Sequence, residues 1–183
     1  MMPFTRQRGL TLLELAVTLT IVSILAGLAL PSFGRLSRHL KVGTAIDTVR
    51  TMANLARSEA VKRGTRVIVC PSLDQKTCTG QTASALLIYA DRNRDGDPDL
   101  GSQPIAREAL SESISVTYNR PYLAFSPRGH AYGTNGTFSI CPENDLASGA
   151  MLIISNTGRP RSARDYDGDG IVERTPGKPL TCP

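Results

Sequence analysis

The chain has 183 residues, a formal net charge of +5, 40% hydrophobic residues, no tryptophan and two histidines. This length provides one domain of ordinary size, and two histidines leave little scope for Ser–His or Cys–His catalysis. From Thr65 onward twelve Lys and Arg residues are matched by thirteen Asp and Glu residues, so bulk charge does not indicate nucleic-acid binding.

Residues 10–31 form an apolar run in which Glu14 is the only charged residue. A helix of this length is roughly 30 Å long, the thickness of a bilayer core, so we predict a membrane-spanning helix. The small residue suited to cleavage, Gly9, ends a basic leader of residues 1–9 and precedes the apolar run. A secretory signal has the opposite order, so processing here would leave the helix on the chain.

A carboxylate inside a bilayer costs ~2.5–3.5 kcal/mol and usually has a charged partner. Cleavage after Gly9 would create an amine at Leu10, which a neighbouring subunit could offer to Glu14; the alternative is a plain membrane anchor. The sequence R-x-R-G followed by L-T-L-L-E resembles the class III signal and first helix of type IV pilins and type II secretion pseudopilins. The resemblance implies that the prepilin peptidase cuts after Gly9 and methylates Leu10, and that Glu14 pairs with an adjacent subunit's amine during assembly.

Beyond Pro31 the pattern predicts an amphipathic helix over residues 32–64, with Gly64 as its C-cap. The opposite, basic face is predicted to be exposed. The stretch ARSEAVKRG at 56–64 resembles the end of the first helix in the GspH/FimT branch of minor pilins. The predicted core-facing stripe consists of Leu36, Leu40, Gly43, Ile46, Val49, Ala53, Ala56 and Ala60.

After Gly64 the chain predicts short strands separated by turns, at 66–70, 85–90, 114–118, 122–126, 137–141 and 150–155. We therefore predict an α+β protein: the resemblance implies a type IV pilin-like fold in which a long N-terminal helix packs on a C-terminal head of antiparallel β-sheet. The stretches SPRGHAYGTNGTFSIC and IISNTGR extend this resemblance through most of the chain. The expected segments are 1–9, 10–31, 32–64 and a head of residues 65–183, with 32–64 and the head forming one globular domain.

The four cysteines, Cys70, Cys78, Cys141 and Cys182, predict disulfides in an oxidising periplasm. Three pairings are possible. We favour Cys70 with Cys78, which closes a short loop, and Cys141 with Cys182, which ties the C-terminal tail to a strand. Zinc is the rival ligand, but the two histidines and the cysteines lack the spacing of a zinc site.

Two acidic stretches, 91–99 and 165–173, place oxygen-bearing side chains at alternate positions with a glycine sixth, as calcium loops do. Ser102 and Pro176 stand at the twelfth positions, where an EF-hand needs glutamate. Tight turns between strands use the same residues. We expect turns and no metal, with calcium at 165–173 as the alternative.

No nucleophile elbow, phosphate loop, dinucleotide fingerprint or metalloprotease motif is present, so we expect neither an enzyme nor a cofactor. His39 on the helix and His130 in a glycine-rich turn are not persuasive catalytic residues.

Residues 155–164, SNTGRPRSAR, carry Arg159, Arg161 and Arg164 without an intervening acid. Gly158 allows a tight turn and Pro160 stiffens it, and guanidinium groups suit phosphate oxygens. One interpretation is a solvated turn whose arginines pair with downstream aspartates. The other follows from G-R-x-R at 158–161, which resembles the C-terminal motif of FimT-type minor pilins that bind DNA during natural transformation. With three phosphate contacts, this interpretation predicts a log–log salt slope near about −2.7.

The predicted function is therefore that of a minor pilin that captures extracellular double-stranded DNA for uptake, with Arg120 and Arg128 as possible additions to the surface. Expected partners are other pilins and minor pilins through the N-terminal helix, the prepilin peptidase and DNA. The chain is expected in the inner membrane of a Gram-negative bacterium, with a periplasmic head, and then in the surface pilus. Alternatives are a structural or priming minor pilin, a GspH-like pseudopilin of type II secretion, and a membrane-tethered calcium-binding adhesin.

Overall fold

The structure, a computed structural model, describes residues 11–80, 82–99, 103–142 and 145–182. It divides into two compact units, one ending at Ser37 and the other comprising Arg38–Pro183. Gly9 and Leu10, the predicted processing site, lie outside the described residues. Among those described, no helix combines the length and apolar character required to cross a bilayer.

Helix α1 runs from Leu12 to Arg63. It begins after Thr11, whose hydroxyl accepts the Glu14 N–H at 3.2 Å, as an N-cap does. It ends before Gly64, which has φ +62° and provides the left-handed residue that commonly follows a helix. Side chains with described placement from residue 12 to residue 27 are exposed, Glu14 among them.

In the described part of the chain, eleven strands follow the helix. They are β1 (Val67–Ser72), β2 (Thr82–Ala83), β3 (Ala85–Ala90), β4 (Ala106–Ala109), β5 (Ile114–Tyr118), β6 (Leu123–Phe125), β7 (Thr137–Pro142), β8 (Ala150–Ile154), β9 (Pro160–Ser162), β10 (Glu173–Thr175) and β11 (Lys178–Pro179). A short 3-10 helix, Leu146–Ser148, precedes β8. All strand pairs are antiparallel: the first sheet has the order β4-β3-β1-β6, the second β2-β5-β7-β8-β9, and β10 pairs with β11. The predicted α+β fold, a long helix followed by antiparallel sheets, is confirmed.

The main core lies between the helix from Val42 onward and the inner faces of both sheets. Small helical side chains such as Ala53, Ala56 and Ala60 are almost fully buried and let the sheets approach closely. The predicted stripe is correct from Val49 onward but wrong at its start. Leu36 and Leu40 are 54% and 63% exposed, and the buried positions nearest to them are instead Val42 and Ala45.

The outer faces of the two sheets are also partly covered. On the first sheet, Ile68, Cys70 and Leu87 form a second apolar cluster. On the second sheet, Met151 packs with Leu180 from the C-terminal segment. The disulfides lie at these places: Cys70 pairs with Cys78 and Cys141 with Cys182, the connectivity favoured from the sequence.

The loop closed by the first disulfide is organised by one carboxylate. Asp74 accepts hydrogen bonds from the backbone N–H groups of Thr77 and Lys76, both at 2.8 Å, and from the hydroxyls of Thr77 and Ser72. These bonds, led by that of the Thr77 N–H, hold the pKa of Asp74 well below its usual range. The ionised carboxylate therefore stabilises this loop.

Candidate nucleic-acid interface

The arginine-rich stretch forms a β-hairpin at the edge of the second sheet. Strand β8 pairs with β9 in a register that sets Ile154 opposite Pro160 and Ile153 opposite Arg161. Pro160 is tolerated because it is the first residue of the edge strand, where a missing N–H breaks no ladder. The hairpin therefore presents residues 155–159 as a turn beyond the sheet.

Gly158 determines the shape of this turn. Its N–H donates to the Ser155 carbonyl at 2.8 Å, and the Ser155 N–H donates to the Arg159 carbonyl at 3.1 Å, so a type I turn is followed by a left-handed residue. Gly158 has φ +75°, and a Cβ placed there would overlap the Gly129 carbonyl oxygen and lie 3.0 Å from the Phe125 ring. Both requirements favour glycine.

Two of the predicted phosphate-binding arginines project from this hairpin into solvent. Arg159 ends the turn and is exposed, and Arg161 is exposed on β9. Because residues directly opposite in an antiparallel pair share a face, Arg161 lies with Ile153 on the face turned away from the helix. Ser162, one position on, faces the other way and its hydroxyl accepts a hydrogen bond from Arg50 on the helix at 2.8 Å.

The structure separates Arg164 from these two arginines. It follows β9 and forms an isolated β-bridge with Glu173. Because side chains alternate along an extended chain and Arg164 is three residues after Arg161, the two lie on opposite faces. Within the described ranges, none of the three guanidinium groups lies within 4.0 Å of a carboxylate oxygen, so the alternative in which they pair with downstream aspartates is wrong there.

The downstream aspartates bind backbone instead. Asp165 accepts the N–H of Gly168 at 2.7 Å and that of Gly170 at 2.9 Å, and these bonds, Gly168 first, lower the pKa of Asp165. Asp167 and Asp169 accept further N–H groups two residues on. This is how Asp builds tight turns. One oxygen from each of the three carboxylates lies within 4.8 Å of the others, so the loop could offer oxygen ligands to a cation.

The other acidic stretch has a different arrangement, because its first carboxylate is buried. Asp91 is fully buried and pairs with Arg66 at 3.2 Å. Burial raises the pKa of Asp91, and the Arg66 charge opposes that shift. Arg92, on the surface, pairs with Asp99 at 3.4 Å.

A second loop supports the hairpin. The Ala131 N–H donates to the Asn156 carbonyl at 2.9 Å, and the backbone of Gly129 lies directly against Gly158. Arg128, exposed and adjacent to Gly129, is therefore close to the hairpin. Arg120 is engaged elsewhere, donating to the Asn135 carbonyl at 2.6 Å. Sequence alone does not indicate which of these arginines adjoins the hairpin, because that depends on a contact between distant loops.

The structure also gives the surroundings of the two histidines, which the sequence analysis did not favour as catalytic residues. The ring of His130 packs edge-on against Tyr132, with the two ring centroids 5.1 Å apart, and His39 is exposed on the helix.

Sequence reasoning missed that Thr11 and Glu14 have the T-x-x-E spacing of a capping box, which gives Glu14 a place at the helix start. It also missed the basic pair Arg174 and Lys178 on the short C-terminal hairpin, since nothing in their spacing indicates a site.

Comparisons with known proteins agree with this architecture. The profile of the family described as "Type II transport protein GspH" matches residues 45–158, and that of the "Prokaryotic N-terminal methylation motif" matches residues 4–30. The pilin-like protein PilA1 of Thermus thermophilus is 34% identical over 165 residues, covering 85% of this chain and 97% of that protein. Crystal structures of the Pseudomonas aeruginosa type IV minor pilin FimU have a similar fold. One form gives a TM-score of 0.55 at 21% identity, covering 70% of this chain and 92% of that one, and a second gives 0.51 at 24%, covering 67% and 92%.

Proposed function

Because this chain belongs to the GspH family of pilin-like proteins and carries the prokaryotic N-terminal methylation motif, we propose that it is a minor pilin of a type IV pilus that binds extracellular double-stranded DNA without sequence preference. The family consists of structural pilins and pseudopilins rather than enzymes, and these assemble with other pilin subunits. DNA capture for natural transformation is the specific role that we assign to this member.

The N-terminal part of the proposal concerns assembly. The prepilin peptidase cleaves after Gly9 and methylates Leu10, and residues 10–31 hold the subunit in the inner membrane until it enters the filament. Glu14 then pairs with the amine of an adjacent subunit. The match of residues 4–30 to the methylation motif supports this sequence of events, and the two disulfides are typical of a domain in an oxidising compartment.

The observation that carries the DNA-binding proposal is the exposure of Arg159 and Arg161 on one hairpin. In the described part of the chain neither has a carboxylate within 4.0 Å, so both guanidinium groups remain available to an external anion. Arg128 adds positive charge beside them. Arg164 supplies a weaker third contact, because it lies two residues beyond the edge strand and next to Asp165.

The mechanism is adhesion. Guanidinium forks bind phosphate oxygens in two-point contacts, which position DNA but carry no sequence information. The rigid turn at Gly158 and Pro160 reduces the conformational entropy lost when these side chains bind. Retraction of the filament would then draw the captured duplex across the outer membrane.

The test compares Arg159→Ala/Arg161→Ala with Lys76→Ala/Arg107→Ala, which removes the same charge from two exposed positions, one in the loop after β1 and one on β4 of the first sheet. Full-length protein in neutral-detergent micelles is titrated against duplex DNA in gel-shift assays at several salt concentrations. The hairpin variant should lose affinity, and its log–log salt slope should be shallower by about 1.8, or ~0.9 for each lost phosphate contact. Binding as tight as that of the unmutated chain would rule out the hairpin as the DNA site.

The family description itself favours a second candidate, a GspH-like pseudopilin of type II secretion. Deletion of the gene would then abolish protein export and leave transformation intact. A structural or priming minor pilin without DNA binding would instead lose piliation on deletion, and its purified form would give no retarded DNA band.

A further inference from the structure

A basic pocket lies on the outer face of the second sheet, between strands β7 and β8 and the C-terminal hairpin β10–β11. Its volume is about 240 Å³. Among the residues that the structure describes, no acidic side chain lines it. Its polar lining consists of Asn119, Thr137, Ser139, Arg174, Lys178 and Thr181.

The floor of the pocket follows from strand alternation. Phe138 and Ile140 of β7 point into the main core, so Thr137 and Ser139 must face outward. The Thr137 N–H donates to the side-chain oxygen of Asn119 at 2.9 Å, and the Asn119 N–H donates back to the Thr137 carbonyl at 3.2 Å. The floor is therefore polar, and its backbone groups are already paired.

The two cations are carried by a hairpin that is held to the sheet. Arg174 is in β10 and Lys178 begins β11. The turn between them is fixed by the Gly177 N–H, which donates to the buried Glu173 at 2.8 Å, and the Cys141–Cys182 disulfide ties the following residues down. Neither Arg174 nor Lys178 has a carboxylate oxygen within 4.0 Å in the described ranges.

The strand register aligns this pocket with the arginine hairpin. Arg161 stands opposite Ile153, and Ile153 stands opposite Thr137, so the three form one row across the outer face. Two strand spacings of ~4.8 Å separate Arg161 from Thr137, or about 10 Å. One strand of DNA carries a phosphate every ~3.4 Å of helix axis, so this row spans about three phosphates.

We propose that the pocket binds a backbone phosphate of the same DNA that contacts the hairpin, with Arg174 and Lys178 as its cationic partners and the Ser139 hydroxyl as a further donor. This inference rests on the proposed DNA-binding function and extends it: the DNA lies across the outer face of the second sheet. The hairpin and the pocket are two ends of one contact surface. Lys178 acts as a point charge, and Arg174 as a two-point donor.

The experiment measures fluorescence anisotropy of a labelled 30-base-pair duplex with the full-length chain in neutral-detergent micelles, over a series of chloride concentrations. Arg174→Ala/Lys178→Ala should bind about tenfold more weakly, as expected for one lost charge-assisted phosphate contact, and its salt slope should be shallower by about 0.9. Lys76→Ala/Arg107→Ala is the charge-matched control and should retain the unmutated slope. Arg174→Gln/Lys178→Gln repeats the measurement if the alanine variant unfolds early.

The possible outcomes separate this proposal from the one on which it rests. If Arg159→Ala/Arg161→Ala weakens binding and both pocket variants bind as the unmutated chain does, the pocket proposal is overturned and the hairpin proposal stands. If the unmutated chain has no affinity for the duplex, both fail. Inorganic phosphate is titrated in parallel by calorimetry. Saturable phosphate binding that the pocket variant loses while keeping full DNA affinity would assign the pocket to free phosphate and overturn the DNA path.

Discussion

Replacing Gly158 with alanine should destabilise the unit of residues 38–183 by about 3 kcal/mol. A left-handed residue with a Cβ costs ~1–2 kcal/mol, and Gly158 has φ +75°. The added methyl group would also overlap the Gly129 carbonyl oxygen, which is backbone and cannot rotate away. Overpacking of this kind typically costs a further ~1–3 kcal/mol.

Gly133 provides the matched control. Its φ is +77°, but a Cβ there would have nothing within 4 Å. Gly133→Ala should therefore show only the backbone cost of ~1–2 kcal/mol. The difference between the two variants measures the close packing of the hairpin against the Gly129 backbone and the Phe125 ring.

The assay is thermal and urea unfolding of residues 38–183, which contain both disulfides and all three apolar clusters. At ~2–4 °C per kcal/mol, Gly158→Ala should lower Tm by roughly 6–12 °C and Gly133→Ala by roughly 2–8 °C. Equal Tm losses in the two variants would refute the view that the two loops are packed backbone against backbone.

Two further predictions concern stability. Changing both cysteines of the Cys141–Cys182 disulfide to serine should cost about 4 kcal/mol of unfolding free energy, against about 2.6 kcal/mol for Cys70–Cys78. The loop-entropy cost grows with loop length, and the two separations are 41 and 8 residues. Equal urea midpoints for the two variants would contradict this ranking. Because the pKa of Asp74 is lowered, its ionised form stabilises the fold above its unfolded-state pKa of ~3.9, and this stabilisation is lost as the pH falls below that value. The Tm difference between the unmutated chain and Asp74→Asn should therefore shrink between pH 6 and pH 3, whereas a constant difference would show that the carboxylate charge plays no part.

The six strands predicted from the sequence all exist within a few residues of their predicted bounds, because each is a β-rich apolar run whose side chains fill a core. The sequence pattern does not predict strands β2, β4, β9, β10 and β11, of which β2 has only two residues. All five are short, the last four are mostly exposed, and each is defined by pairing with a neighbouring strand rather than by an apolar run of its own. Such pairing leaves no periodic signal in the sequence.

On helix α1, the periodicity of apolar residues predicts the buried face for only part of its length. Its apolar stripe was correct where small residues leave one possible core face, at Ala53, Ala56 and Ala60. Toward its start, large apolar residues occur on several sides, so the pattern predicts Leu36 and Leu40 in the core although they are exposed. Which of several apolar faces is buried depends on where the sheets lie.

In the candidate interface, some features follow from local sequence and others depend on tertiary contacts. The sequence by itself determined the arginine-rich turn, its glycine and proline, and the short Cys70–Cys78 loop, because these depend on local backbone chemistry and short loop closure. Only the tertiary structure decided that Arg161 shares a face with the Arg174–Lys178 pocket and that Arg164 does not. Strand register and the path of the C-terminal segment bring those residues together, and both depend on pairing between positions distant in the chain.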